Sequence, residues 1–251
     1  MLDQITPLIL TYNEAPNIAR SLGALSWASD IVVVDSFSDD KTVEIAKSFP
    51  RVRVFQRAFD SHRNQWEFGL KDTGIATPWV LALDADYVIS NELVAELKDL
   101  RPEAETAGYR ASFVYCIKGR KIRSGIYPPV TILYRREAAT YVQDGHTQRI
   151  ALDGAIEDLR APVFHDDRKS LKRWFNSQSK YTELEAQKLR AADPAELGFA
   201  DRLRRWRIVV PPVMLVYCLF VRGGILDGWA GFYYAFQRAM AEAMLSHRLH
   251  G

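Results

Sequence analysis

Short apolar runs recur along the first hundred positions, and most of them end in a polar cluster. Ile5–Leu10 ends in Thr11-Tyr12-Asn13-Glu14, Ile31–Val34 in Asp35-Ser36-Phe37-Ser38-Asp39-Asp40, and Val80–Leu83 in Asp84-Ala85-Asp86; Val52–Phe55 is a further run. Runs this short and rich in β-branched residues predict strands buried on both faces. Between them the spacing turns helical. Pro16 suits a first helical turn, followed by a stripe of Ile18, Leu22 and Leu25, while Thr42–Lys47 and Phe59–Lys71 read as two more helices. Strands alternating with helices predict βαβ units, a parallel sheet and the α/β class. In such sheets ligands bind beyond the carboxyl ends of the strands, where all three polar clusters fall.

The second half predicts a strand over Tyr109–Ile117 with Lys118-Gly119-Arg120-Lys121 as its polar turn, then a strand over Val130–Tyr134 and a helix over Lys169–Arg190. The tail changes character. Arg202, Arg204, Arg205 and Arg207 bracket Trp206, and the 14 residues Ile208–Val221 are almost wholly apolar but interrupted by Pro211-Pro212. That run is too short and too broken to span a bilayer; basic residues and tryptophan at its edge fit an interfacial segment. A last helix, Trp229–Leu249, shows a broad aromatic face in Trp229, Phe232, Tyr233 and Phe236. The plain alternative is a helical hairpin packed on a catalytic domain or a partner subunit. The domain reading is a catalytic domain over 1–200 and a basic, apolar helical tail over 201–251, membrane-interfacial in character.

Composition narrows the function. Hydrophobic content of 48% and charged content of 25% are ordinary for a globular chain of 251 residues. A net charge of +2 lacks the basic bias of a nucleic-acid binder, so no nucleic-acid partner is expected. Cys116 and Cys218 stand alone, which fits a reducing, cytoplasmic compartment and argues against a disulfide framework or zinc site. MLDQITPLIL carries an acid and only a short apolar run, unlike a secretory signal.

Two carboxylates one residue apart, Asp84 and Asp86, point to the same side of an extended chain. Burying them together is costly unless a cation or donors meet them. Hard oxygen ligands suit Mg²⁺ or Mn²⁺, which would neutralise a diphosphate; a solvated turn is the alternative. Asp35 has the position of an acid that accepts from a base or ribose, whereas Asp39 or Asp40 better fits a helix cap. No GxGxxG follows the first strand and no GxxxxGK[ST] occurs, which disfavours a dinucleotide dehydrogenase or a P-loop NTPase.

TYNE at Thr11–Glu14, VVVDSFSDDKT at Val32–Thr42, HRNQWEFGL at His62–Leu70 and LDADY at Leu83–Tyr87 follow in an order that resembles family 2 glycosyltransferases. The resemblance implies a GT-A fold, a Rossmann-like nucleotide-diphospho-sugar transferase domain. It implies that Thr11, Tyr12, Asn13 and Glu14, with Asp35 and its neighbour Ser36, hold the uridine of a UDP-sugar donor. Arg63 and Asn64 would lie near the diphosphate, Asp84 would contact ribose or sugar, and Asp86 would ligate the metal together with His165. A cap on the next helix by Asp166 or Asp167 is the alternative reading of that last stretch. Sugar transfer with inversion needs a base for the acceptor hydroxyl. Asp144, before Gly145 and His146, resembles the acid-before-histidine of the lipopolysaccharide-core glucosyltransferase branch; His146 would stand on the substrate side and orient it. A DG hairpin turn is the plain alternative there. Many members carry another acid where this chain has Tyr87. Arg222–Gly228 resembles the tail pattern of the same branch. The expectation is thus a metal-dependent inverting transferase acting on a glycan or glycolipid acceptor, peripheral on the inner face of the cell membrane. A polyprenyl-phosphate sugar transferase and a non-catalytic membrane-associated nucleotide-binding scaffold remain the alternatives.

Overall fold

The computed structural model describes residues 1–144, 147–193, 198–204 and 207–250. The apolar runs form β1 (Ile5–Thr11), β2 (Ile31–Asp35), β3 (Val52–Gln56) and β4 (Trp79–Asp84), mutually parallel in the order β3-β2-β1-β4. Downstream come β5 (Tyr87–Ile89), β6 (Thr106–Ala111), β7 (Phe113–Ile117), β8 (Arg120–Lys121), β9 (Val130–Arg135), β10 (Ala139–Asp144), β11 (Thr147–Leu152), β12 (Ala155–Asp158) and β13 (Val163–His165). The seven-stranded sheet is mixed, not purely parallel as the alternation predicts. Its order is β12-β6-β9-β4-β1-β2-β3, and β9 runs antiparallel to both β4 and β6. Nothing local in Val130–Tyr134 announces that reversal; it is set by pairing with Trp79–Leu81, some fifty residues back in the chain.

Alternation within each run divides the core between the two faces of the sheet. Ile31 and Val33, with Leu81 and Leu83, pack on one side with Ile18, Leu22 and Leu25 of the first helical stretch. Val32 and Val34, with Val80 and Ala82, pack on the other against Trp66 and Leu70. The helices are α1 (Ile18–Gly23), α2 (Thr42–Lys47), α3 (His62–Lys71) and α4 (Asn91–Asp99). Ser61 and Ser90 cap α3 and α4, their hydroxyls accepting from Asn64 N and Leu93 N.

The chain divides into two units: Met1–Val114 with Tyr127–Arg168, and Tyr115–Ile126 with Lys169–Gly251. The second holds the hairpin from Tyr115 of β7 through β8, with α5 (Leu171–Ala191), α6 (Phe199–Arg204), α7 (Val210–Val216) and α8 (Trp229–His250). Its principal core gathers Ile117 and Ile122 of the hairpin, Cys218 and Leu219 after α7, and Ala230, Tyr234 and Ala235 of α8. Ala186 and Leu189 of α5 pack with Leu245 of α8. The long helix that the sequence assigns to the 1–200 domain therefore packs with the tail. Among the described residues no helix is long and apolar enough to cross a membrane.

Candidate active site

The loop after β2 is built around a fully buried carboxylate. Asp35 Oδ1 accepts from Thr11 Oγ1 (3.0 Å) and Ser38 Oγ, and Oδ2 from Ser38 N (2.9 Å) and Gln56 Nε2 (3.2 Å). These donors come from β1, β3 and its own loop, so Asp35 ties three strand ends together. A direct bond from a base or ribose to Asp35, as the resemblance implies, requires displacing one of them. Asn13 sits at φ 57° and completes the bracket: its N donates to Ser38 Oγ (2.7 Å), and its Oδ1 accepts from Asp39 N (2.8 Å). Glu14 N donates to Thr42 Oγ1 (2.6 Å). Ser36 Oγ accepts from Gln65 Nε2 (2.7 Å). Two aromatic rings of this edge are exposed, Tyr12 and Phe37. Phe37 has φ 58°, a costly conformation for a bulky residue, held in place by the neighbouring Ser38–Asp35 bonds.

Beyond β4 the chain turns at Ala85-Asp86 before β5, so strand alternation does not extend to the second carboxylate. Asp84 is exposed and Asp86 is buried, which corrects the expectation of two side-by-side acids on one strand face. Antiparallel pairing of β13 with β5 sets His165 opposite Tyr87, and His165 Nε2 lies 3.3 Å from Asp86 Oδ2. The two residues that the resemblance implies as metal ligands, 79 positions apart in the chain, are thus neighbours. An aromatic wall holds the imidazole. The Tyr87 and Tyr127 rings stand edge-on to it, at 5.3 and 5.1 Å, and their hydroxyls share a 2.6 Å hydrogen bond. Phe113 packs on both tyrosines. Burial acts to lower the His165 pKa, but Asp86, with Asp84 and Asp167 adding to it, outweighs burial and holds it above the ordinary histidine value. Burial, then the charge of Asp84, pushes the Tyr87 hydroxyl well up, keeping it a neutral hydrogen-bonding group.

A clamp that the sequence reading missed fixes the segment after His165. Asn17 is fully buried; its Nδ2 donates to Glu14 Oε2 (2.8 Å) and Asp167 Oδ1 (2.9 Å), and its Oδ1 accepts from Arg168 N (2.9 Å). Arg20 Nη2 donates to the Asp166 carbonyl (2.7 Å), and Asp166 N donates to the Asp86 carbonyl (3.0 Å). The signal was present: Asn17 and Arg20, three apart, begin a stretch whose other face carries Ile18, Leu22 and Leu25.

Asp84 also faces the α3 side of the sheet, where its charge adds to the burial that raises the Tyr141 pKa. Tyr141, in β10, stacks on Trp66 of α3 (5.6 Å, 15° between planes) and shares a 2.7 Å hydrogen bond with Tyr134. This anchors β10, whose last residue is Asp144. The Asp144 side chain and the whole of His146 lie outside the described residues. Arg63 and Asn64 are exposed at the start of α3. Arg63 Nε donates to Glu67 (3.3 Å), and Asn64 Nδ2 donates to Asp60 (2.9 Å), whose carboxyl Arg57 holds well below the usual range.

Among the described residues no group of three or more His, Cys, Asp or Glu is set to hold a metal ion. One carboxylate and one imidazole nitrogen still converge at Asp86 and His165. A hard divalent ion that retains waters and takes substrate phosphates needs only one or two protein carboxylates, so Asp86 fits Mg²⁺ or Mn²⁺, with the His165 nitrogen beside it as a further donor.

A mixed α/β sheet with its polar groups gathered at the carboxyl edge of β1, β2 and β4 defines an enzyme class that takes its ligand at that edge. The chain belongs to glycosyl transferase family 2, whose model matches residues 8–147. An uncharacterized glycosyltransferase of Rickettsia prowazekii (strain Madrid E) is 23% identical over 97% of this chain and 87% of its own length. One of Rickettsia bellii (strain RML369-C) is 24% identical over 96% and 86%. S. aureus TarS 1–349, solved in complex with UDP-GlcNAc, superposes with a TM-score of 0.51 at 15% identity, covering 98% of this chain and 89% of that one. The fold is therefore GT-A-like.

Proposed function

We propose that this glycosyltransferase moves a sugar, with inversion, from a UDP-sugar to a hydroxyl of a cell-envelope glycan or glycolipid, of the lipopolysaccharide-core kind, using Mg²⁺ or Mn²⁺. The observation that carries the reading is the convergence of Asp86 and His165, with Asp84 near, at the carboxyl edge of β4. A divalent ion bound by Asp86 and His165 would supply counter-charge for the departing diphosphate. The residues of the chain do the rest. Asp144 takes the proton of the acceptor hydroxyl, whose oxygen bonds to the anomeric carbon as the bond from that carbon to UDP breaks. Asp84 accepts from ribose or sugar, the Tyr12 and Ser36 edge receives uridine, and Arg63 and Asn64 lie toward the diphosphate. Two free, buried cysteines support a reducing, cytoplasmic compartment.

The test is a donor screen: purified protein, Mn²⁺ and each UDP-sugar, with release of UDP followed in the presence of a glycolipid acceptor. Release from one donor that depends on acceptor and stops with EDTA supports the proposal. Release with no divalent ion present removes the metal, and no release from any UDP-sugar removes the donor.

A further inference from the structure

The second unit carries an outward face that water does not suit. Residues 208–221 contain no charged side chain. Val210, Cys218 and Leu219 turn inward, while Val213, Val216 and Phe220 are exposed, at helical spacing. On α8 the same division holds. Ala230, Tyr234 and Ala235 are buried, whereas Trp229, Phe232 and Phe236 are each about half exposed. Between the helices Leu226 is 70% exposed. A helix that is apolar all round needs a non-aqueous cover on the side its own protein leaves open, and a patch of this extent marks an interaction surface.

The charge at its border selects the cover. Tyr115–Ile126 and residues 208–240 together hold six basic residues and a single acid, Asp227. That acid is buried, its Oδ2 accepting from Arg123 N (2.9 Å) and Ser124 N (3.1 Å) and Oγ (3.0 Å). The same bonds, with Arg222 Nη2 donating to the Gly125 carbonyl (3.0 Å), fasten the basic hairpin beside the Gly223–Gly228 turn. Arg120, Lys121 and Arg222 are exposed there. A second copy meeting this face about a two-fold axis would set basic cluster against basic cluster. An anionic leaflet meets both features at once: acyl chains for the aromatic stripes and phosphates for the cations.

We propose that the α7–α8 face of the second unit is a membrane-docking surface that lies in the headgroup boundary of an anionic bilayer without crossing it. It goes beyond the donor and metal reading and does not depend on it. The test is sedimentation of the full chain with vesicles of phosphatidylcholine containing about 30% phosphatidylglycerol, against phosphatidylcholine alone. The expected result is binding at least about tenfold stronger to the anionic vesicles, reduced about tenfold by Arg120→Glu with Lys121→Glu and abolished by Phe232→Glu with Phe236→Glu. All four positions are exposed, so the helical circular dichroism of the variants should be unchanged. The wild-type protein gives an independent reading: brominated lipids should quench its tryptophan emission, and Trp229→Phe should remove much of that quenching. Absence of sedimentation with anionic vesicles at low salt would overturn the proposal. So would a dimer, seen by light scattering, that Phe232→Glu dissolves in a protein that binds no vesicle. UDP binding is read separately, so failure of the donor assignment and failure of the membrane surface cannot be confused.

Discussion

Asp35 and Asp86 are both buried carboxylates beyond the carboxyl ends of β2 and β4, the two parallel strands that flank β1, yet they are solvated in opposite ways. Asp35 is met by hydroxyl, amide and backbone N–H donors from three strand ends, all neutral and none able to change charge. Asp86 faces an imidazole that titrates and that can hand a nitrogen lone pair to a metal. The difference suits two different jobs. A carboxylate saturated by neutral donors holds loops in shape, and one paired with a titratable, metal-competent group at the sheet edge is where the proposed chemistry would sit.

The comparison can be broken by mutation. The largest expected effect is on turnover: Asp86→Ala should lower sugar transfer by about 10³-fold or more with the fold retained, read by UDP release and by circular dichroism. Near-normal turnover would remove Asp86 from the metal role. Asp35→Ala should do the reverse. It strands four donors in a buried site and should cost roughly 2–4 kcal/mol of stability in urea unfolding; a loss below a few tenths would show that Asp35 is not the scaffold. Asp144→Asn should reduce kcat by about 10²-fold with little change in the donor KM, as expected when a general base is lost. Unchanged kcat moves the base elsewhere and favours a phosphate acceptor, which needs none. The smallest effect belongs to the aromatic wall: Tyr127→Phe removes the hydroxyl bond to Tyr87 and should cost about 1 kcal/mol of stability, with turnover lowered only a fewfold.

Much of the sheet was legible in the chain because its central strands are self-announcing. The runs that became β1, β2 and β4 are apolar on both faces and end in polar residues, and β3 followed from its place in the alternation. The strands added later in the chain were less so. β12 is exposed at every residue and β5 has only three, so neither carries a pattern of its own. Asn91–Asp99 reads as a helix only once Ser90 is seen to cap it. At the site, family resemblance brought Asp86 and His165 together, although spacing alone could not. What remained hidden were partnerships between distant positions. Tyr87 looked like a departure from the family's acid, whereas with Tyr127 it walls the imidazole. Asn17 looked like part of a helix start, whereas it ties the β1 loop to the segment after His165. In both cases the residue type signalled little until the partner, forty or more positions away, was in place.

In the proposed reading, Asp86 and His165 make this edge a metal-dependent nucleotide-diphosphate site. Calorimetric titration of UDP into the purified protein, first with Mn²⁺ and then with EDTA, tests it most directly. Binding should require the ion and should be removed by Asp86→Ala. Tight UDP binding indifferent to both EDTA and Asp86→Ala would contradict it.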